Sequence, residues 1–451
     1  MGAFHAYDIR GIYNVDFDKD IAYKVGYFLP ALLKTDKVLV GRDVRVSSDE
    51  IHNYLVKGIN DAGADVYDLG LSTTPLVYFG TANYGFSASV QITASHNPAE
   101  YNGLKVSREN ALPVGYDAGL GQIKSWIDQG KDCVIAQKRG QVIPMDIRKE
   151  YLEFLLKYKD DYSGLSIAMD VSNGMASLFV KDIFGQQPKY IFEDLDGRFP
   201  NHEPNPLVQK NVQALKDLVA KEKSDIGVIY DGDADRVMFV DENGRFISPD
   251  LMIAVLGHYF LEERGEKGIV LQDIRSSKAV GEYLTPLGAE METWKVGRAF
   301  AAIKLRELDG VFGGELAGHY YFRDFFYSDS GLLASILILN VVAKMKRKGI
   351  SVSELISKIE AYENSGEVNF RIEDKKGAMD AIKEHFLSKE DASAIMDFDG
   401  YRVEFPTWWF NIRPSNTEPY LRFICEARSK ELLEDKLAQV KKILIEKFGA
   451  K

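Results

Sequence analysis

Four short stretches of this 451-residue chain carry side chains whose types and spacing suit chemistry. The first is Thr93-Ala94-Ser95-His96-Asn97-Pro98. It follows an apolar-alternating run, Phe86 to Ile92, that reads as a strand, so Ser95 stands where a strand gives way to a loop. His96 adjoins it, and Lys105 follows within Tyr101-Asn102-Gly103-Leu104-Lys105. The second stretch is Asp231-Gly232-Asp233-Ala234-Asp235-Arg236. In an extended segment residues i, i+2 and i+4 point the same way, so Asp231, Asp233 and Asp235 can converge on one hard cation. Gly232 and Ala234 are too small to obstruct, and oxygen-only ligands suit Mg²⁺. A hydroxyl nucleophile, a hard-metal site and scattered basic residues are the components of phosphoryl transfer.

The third stretch is Arg413-Pro414-Ser415-Asn416-Thr417-Glu418-Pro419, with Arg422 close behind. Backbone N–H groups and hydroxyls in such a turn hold phosphate, and arginine forks onto it. The competing reading is a plain Pro-and-Asn turn with a helix cap. The fourth is Gly313-Gly314-Glu315-Leu316-Ala317-Gly318-His319. Glu315 and His319 suit sugar hydroxyls, although a glycine-rich loop with a surface carboxylate explains the stretch equally well. The aspartates admit a calcium loop of the EF-hand type, with Glu242 at its last position, or an exposed acidic turn. Arg236 stands where that loop needs glycine, and a strand rather than a helix leads in. Tyr7-Asp8-Ile9-Arg10-Gly11 and Gly41-Arg42-Asp43, taken singly, read as ion pairs.

Stepping outward, the elements that position these stretches alternate between strand and helix. Val38–Val40, Leu165–Val171, Ile226–Tyr230 and Gly268–Leu271 read as strands; Ser48–Ala62, Asn173–Phe184, Val208–Lys223 and Ser276–Leu284 read as helices. Such alternation implies α/β layers with mostly parallel pairing and ligands beyond the carboxyl ends of the strands. Three similar mixed α/β domains are expected over 1–145, 146–246 and 247–361, without a clear sequence repeat between them. A smaller α+β domain over 362–451 follows from strands at Glu367–Ile372, Tyr401–Phe405 and Leu421–Ala427 and a terminal helix Lys430–Phe448.

The bulk numbers exclude several classes. A net charge of −11 disfavours nucleic acid and anionic membranes as partners. The longest apolar run, Leu332 to Val342, is too short to span a bilayer. Met1 to His5 lacks the character of a signal peptide, and Cys133 and Cys425 are too few and too far apart for a disulfide framework. A cytoplasmic enzyme, monomeric or a small homo-oligomer, is the expectation.

Together the four stretches resemble the α-D-phosphohexomutases, in the phosphomannomutase/phosphoglucomutase branch. Thr93–Pro98 is similar to that family's phosphoserine loop, Asp231–Arg236 to its magnesium loop, Gly314–His319 to its sugar loop and Arg413–Pro419 to its phosphate loop, in the family's order. Tyr7–Gly11, Phe199-Pro200-Asn201-His202 and Lys295-Val296-Gly297 also look like family segments. The resemblance implies four domains around a central active-site cleft, hexose phosphates of mannose or glucose as substrates, and a hexose 1,6-bisphosphate as intermediate and activator. It implies a phosphoryl group on Ser95, one of whose oxygens joins Asp231, Asp233 and Asp235 around Mg²⁺. Lys105 and Arg10 would then lie near the serine, with His96 as an acid–base group or a loop-fixing one. Arg236, Arg298, Glu315 and His319 would bind the sugar, and Arg413, Ser415, Asn416, Thr417 and Arg422 the distant phosphate. Two departures stand out: Ala317 replaces a common serine and Arg298 a common histidine, which implies a contact moved from hydroxyl toward phosphate. A phosphoglucosamine mutase, a phosphatase and a non-catalytic sugar-phosphate binder are the alternatives; Leu316, where the first often has glutamine, speaks against it.

Overall fold

The computed structural model of the chain describes residues 2–415 and 420–450. Its first sheet has six strands, β1 (Ile9–Ile12), β2 (Lys37–Arg42), β3 (Asp65–Leu71), β4 (Ala88–Ile92), β5 (Tyr101–Arg108) and β6 (Val142–Pro144), in the order β1-β5-β4-β2-β3-β6. The second has five, β7 (Ile167–Asp170), β8 (Lys189–Ile191), β9 (Ile226–Tyr230), β10 (Val237–Asp241) and β11 (Phe246–Ile247), ordered β11-β10-β9-β7-β8. The third comprises β12 (Gly268–Asp273), β13 (Ala289–Trp294), β14 (Phe312–Gly314), β15 (Tyr320–Phe322) and β16 (Ser328–Asp329), ordered β13-β12-β14-β15-β16.

These three sheets share one plan. A central strand (β4, β9 or β14) lies parallel to an earlier neighbour (β2, β7 or β12) and antiparallel to the strand that follows it (β5, β10 or β15). The sheets are therefore mixed rather than mostly parallel. The reason is the length of the connections: residues 93–100, 231–236 and 315–319 are far too short for a parallel crossover, so each can only return antiparallel. Three of the four chemistry-bearing stretches are these returns.

The last domain is antiparallel throughout. Strands β17 (Glu363–Asn364), β18 (Val368–Arg371), β19 (Ala394–Met396), β20 (Tyr401–Glu404), β21 (Trp408–Pro414) and β22 (Tyr420–Ala427) form one sheet against the terminal helix Lys430–Phe448. The remaining stretch, Arg413–Pro419, again runs from a central strand, β21, to its antiparallel neighbour β22. The chain is thus α/β, three mixed domains followed by a smaller α+β domain.

The helices read from periodicity recur in the structure, with two informative differences. The helix expected over 173–184 is split into a 3₁₀ turn, Met175–Leu178, and a short helix, Val180–Phe184. The chain there is tied to the aspartate loop: Met175 N–H donates to Gly232 O at 2.9 Å, and a Cβ on Gly174 would lie 2.8 Å from the same oxygen. Likewise 208–223 begins as a 3₁₀ turn before the helix Gln213–Glu222. The apolar run 332–342 belongs to the helix Gly331–Arg347, buried along its length rather than in lipid. No helix among the described residues is long and apolar enough to cross a membrane.

One core runs through the first three domains, from Leu39 to Ile359, while the last domain has its own, from Phe370 to Leu444. The seam between third and fourth domains is mostly polar, with one ring contact between Trp294 and Phe398, 5.3 Å between centroids. Arg402 Nη1 donates to the carbonyls of Ile274 and Ser276 at 2.9 and 2.6 Å, and Ser277 Oγ to Glu426 Oε2 at 2.7 Å. Val296 N–H donates to Asp399 at 2.9 Å and Arg428 pairs with Glu282 at 2.7 Å.

Candidate active site

Three of the returns, together with Arg413 of β21 and Arg422 of β22, line a cleft of about 880 Å³. Ser95 is buried beside its lining residue His96, in the left-handed region at φ 51°, where a non-glycine residue is strained. Its amide donates to Thr93 Oγ1 at 2.9 Å, and its hydroxyl donates to Asp231 Oδ2 at 2.7 Å across the domain boundary. Only glycine fits the next position of the facing loop, because a Cβ on Gly232 would stand 2.5 Å from Ser95 O.

The aspartates do converge, but not by strand alternation. Residues 231–235 form a turn in which Ala234 takes φ 63°. One oxygen from each of Asp231, Asp233 and Asp235 comes within 4.8 Å of the others, and all three residues are fully buried. Lys105 Nζ sits 2.6 Å from Asp233 Oδ2 and 2.5 Å from Asp235 Oδ2. Thr74, opening the helix Thr74–Asn83, donates its hydroxyl to Asp233 Oδ2 and its amide to Asp233 O. Burial and its two neighbouring carboxylates push Asp231 far above the usual carboxylate range. Burial would raise Asp235 too, but Lys105 and His319 hold it far below. Asp233 Oδ1 and Asp235 Oδ1 have no hydrogen-bond partner among the described residues. Three buried carboxylates, one lysine to balance them and two unsatisfied oxygens fit a hard divalent cation. Glu242, the last ligand of the EF-hand alternative, is instead engaged by Ser353 at 2.5 Å.

Around the serine, Arg10 donates to Asn97 Oδ1 at 3.0 Å and pairs with Asp8. His96 borders the cleft, and burial with the charges of Arg236 and Arg10 holds it well below its ordinary pKa, hence neutral. Arg236 packs its Nε 3.1 Å from His319 Nε2. Glu315 accepts from Gly297 N–H at 2.6 Å, His319 Nδ1 at 3.0 Å and Tyr321 Oη at 2.7 Å. Against burial, His319 and Arg275 draw Glu315 down to about 2; against burial and Arg236, Asp235 and Glu315 draw His319 up to about 9. Arg298 is committed to Asp329, 3.0 Å away, and stacks 4.1 Å above the Tyr78 ring, at the cleft wall.

The far wall is cationic. Arg413, 5% exposed, borders the cleft with no partner for Nε among the described residues; burial and Arg275 lower its pKa. Arg422 lies opposite it in the β21–β22 ladder and pairs with Glu367 at 3.0 Å. Ser415 N–H donates to Tyr420 O at 2.9 Å, and Asn416 and Thr417 lie outside the described residues. Sequence reasoning missed Arg275, which borders the same wall and is pinned to Asp273 at 2.6 Å. The available signal was an aspartate ending a strand two residues before the arginine. Asp43 with Arg45 repeats it after β2.

Models of phosphoglucomutase/phosphomannomutase α/β/α domains I, II and III match residues 1–131, 149–244 and 248–362, and that of the C-terminal domain matches 367–443. The chain belongs to the phosphoglucomutase/phosphomannomutase family. It is 36% identical to a phosphomannomutase of Methanocaldococcus jannaschii over 98% of this chain and 97% of that one. A phosphomannomutase of Salmonella typhimurium is 35% identical over 95% of each. A family structure from Burkholderia thailandensis superposes with a TM-score of 0.86 at 26% identity, over 98% of this chain and 97% of that one. As a phosphoglucomutase/phosphomannomutase, the chain is an enzyme of hexose phosphates, a mutase of the isomerase class.

Proposed function

We propose that the enzyme moves a phosphoryl group between the 1- and 6-positions of mannose and glucose phosphates by way of phosphoserine 95. The observation that carries this reading is the 2.7 Å contact of Ser95 Oγ with Asp231, at a buried triple-carboxylate site facing a wall of arginines. The free hydroxyl of a bound monophosphate attacks the phosphorus on Ser95. A sugar O–P bond forms, the Oγ–P bond breaks, and the hydroxyl proton ends on Ser95 Oγ. The hexose 1,6-bisphosphate then turns over in the cleft, and its other phosphate returns to Ser95 by the reverse exchange.

Asp231, Asp233 and Asp235 would hold Mg²⁺, which neutralises charge on the transferring group when bound. His96, kept neutral, can take the hydroxyl proton and pass it on. Lys105 is pinned as an ammonium, its pKa raised by Asp233 and Asp235 against burial, so its part is electrostatic. Arg10 supplies a second charge beside the loop. Arg413, Arg422 and Arg275, with the side chains that the sequence offers at Ser415, Asn416 and Thr417, grip the phosphate that is not reacting. Glu315 and His319 address hydroxyls common to both sugars, which leaves C2 weakly read, with Arg236 and Arg298 completing the wall. The ligands are small hexose phosphates.

Ser95→Ala tests the assignment. Turnover with mannose 1-phosphate and glucose 1-phosphate should vanish, along with a single phosphate seen by intact mass in the active protein. Full activity in that variant would sink the mechanism. Glucosamine 1-phosphate, assayed beside them, should be the poorest of the three.

A further inference from the structure

We propose that Arg45, which no part of the mechanism above uses, is the positioning residue that holds the nucleophile's loop in its strained shape. A guanidinium carries five N–H donors in a fixed fork, and here all five are engaged. Nε donates to Asp43 Oδ2 at 3.1 Å. Nη1 donates to the carbonyls of Pro98 and Tyr101 at 2.5 and 3.0 Å, and Nη2 to those of Ser95 and Asn97 at 2.8 and 2.7 Å. Four carbonyls of one loop thus turn toward a single buried cation whose side chain is inaccessible to solvent.

The clamp is itself fixed from both sides. Asp43 Oδ1 accepts from Arg45 N–H at 3.0 Å and Ser48 Oγ at 2.6 Å, so the carboxylate cannot swing away. The Phe199 ring from the second domain stacks 5.0 Å from the guanidinium, and Gly197 lets that segment approach, since a Cβ there would lie 2.1 Å from Val44 O. The consequence for the site follows from peptide planarity. With the Ser95 carbonyl drawn onto Arg45, the His96 N–H of the same trans unit must point the opposite way. Arg45 therefore fixes ψ at Ser95 and the direction of the adjacent donor, and so holds the loop in which Ser95 keeps φ 51°.

This inference rests on Ser95 being the phosphorylated group, and the test separates the two. In the full chain, Arg45→Lys keeps a cation but cannot reproduce a five-donor fork. The expected result is a fall in kcat of roughly 100-fold, the cost of a small misplacement at the reacting atom, with KM for hexose phosphate unchanged. Uptake of phosphate by Ser95 from hexose 1,6-bisphosphate, followed by intact mass in a single turnover, should slow by the same factor. Added guanidinium ion should restore part of kcat to Arg45→Ala. A wild-type kcat in Arg45→Lys, or a loss seen only in melting temperature, overturns the proposal. Should Arg45→Lys fail to fold, Phe199→Leu decides: it leaves the five donors paired but uncovers the guanidinium. A lower kcat at constant KM supports the clamp, and an unchanged kcat overturns it. Wild-type protein that never carries phosphate on Ser95 is a different failure, which removes the phosphoenzyme reading and the clamp with it.

Discussion

The two walls of the cleft are built on opposite principles. At the serine wall every cation is matched inside the protein: Lys105 by Asp233 and Asp235, Arg10 by Asp8, Arg45 by Asp43. At the far wall Arg275 and Arg422 also have acidic partners, Asp273 and Glu367, but Arg413 Nε has none among the described residues, and burial and Arg275 lower the pKa of Arg413. The first arrangement fixes geometry and leaves a surplus of carboxylate that a cation would balance. The second keeps positive charge poised for a dianion from outside. The proposed mechanism uses both, because the exchange would demand fixed atoms while the anchor would have to accept either end of a bisphosphate.

This contrast can be broken in order of expected effect. Asp233→Asn strikes the matched wall, removing one carboxylate and leaving Lys105 with Asp235 alone. Metal affinity and turnover should fall together, by more than the 10- to 100-fold typical of outer-shell changes. EDTA should reproduce the loss in wild type and Mg²⁺ reverse it; undiminished turnover after exhaustive chelation would remove the metal from the account. Arg413→Ala strikes the poised wall and should raise KM for mannose and glucose phosphates alike. A charged hydrogen bond is worth about 1.5–3 kcal/mol, or roughly 10- to 150-fold. A loss confined to one sugar would mean that this wall reads more than phosphate.

Glu315→Gln lies between the walls. It should reduce kcat by roughly two- to tenfold, the worth of one hydrogen bond of about 0.5–1.5 kcal/mol, and leave KM nearly unchanged. A rise in KM alone would place Glu315 with the anchors. The smallest effect concerns the second domain, where Asp170 ends β7 in the place that Asp43 and Asp273 hold beside β2 and β12. Its partner is His202, 3.0 Å away, rather than an arginine. Burial opposes the charge on His202 but Asp170 raises its pKa. Its stabilisation is therefore complete below the ordinary value of about 6.5 and fades as pH climbs through the raised one. The melting-temperature gap between wild type and His202→Gln should shrink over that rise; a constant gap would show that the pair does not titrate there.

Much of this was legible in the sequence because functional loops concentrate unusual residues. Ser95, the aspartates and Arg413 announced themselves by type and spacing, and the strands Ile226–Tyr230 and the helix Lys430–Phe448 by periodicity. The convergence of Asp231, Asp233 and Asp235 was foreseen for the wrong reason, since a turn at Ala234 and not an extended backbone brings them together. Arg45 and Arg275 were overlooked because an arginine two residues after an aspartate looks like a surface ion pair until the sheet places it at a strand end. The internal repeat was invisible for a related reason. It resides in strand order, in the antiparallel returns and in single aspartates whose side chains accept the amide two residues on, at 3.0, 2.8 and 2.7 Å for Asp43, Asp170 and Asp273. Side chains elsewhere in the three domains are free to differ.

The separate core of the last domain has a consequence for how the cleft admits its ligand. Parting the seam with the third domain would break hydrogen bonds such as those of Arg402 and Ser277 and the one ring contact of Trp294 with Phe398, without splitting the last domain's core. Water replaces such bonds at about 0.5–1.5 kcal/mol each, within the reach of a bound phosphate to recover. On the reading proposed above, a phosphate held by Arg413 and Arg422 would add its bonds to those of the seam, so the same ligand that is anchored there would also hold the last domain over Ser95.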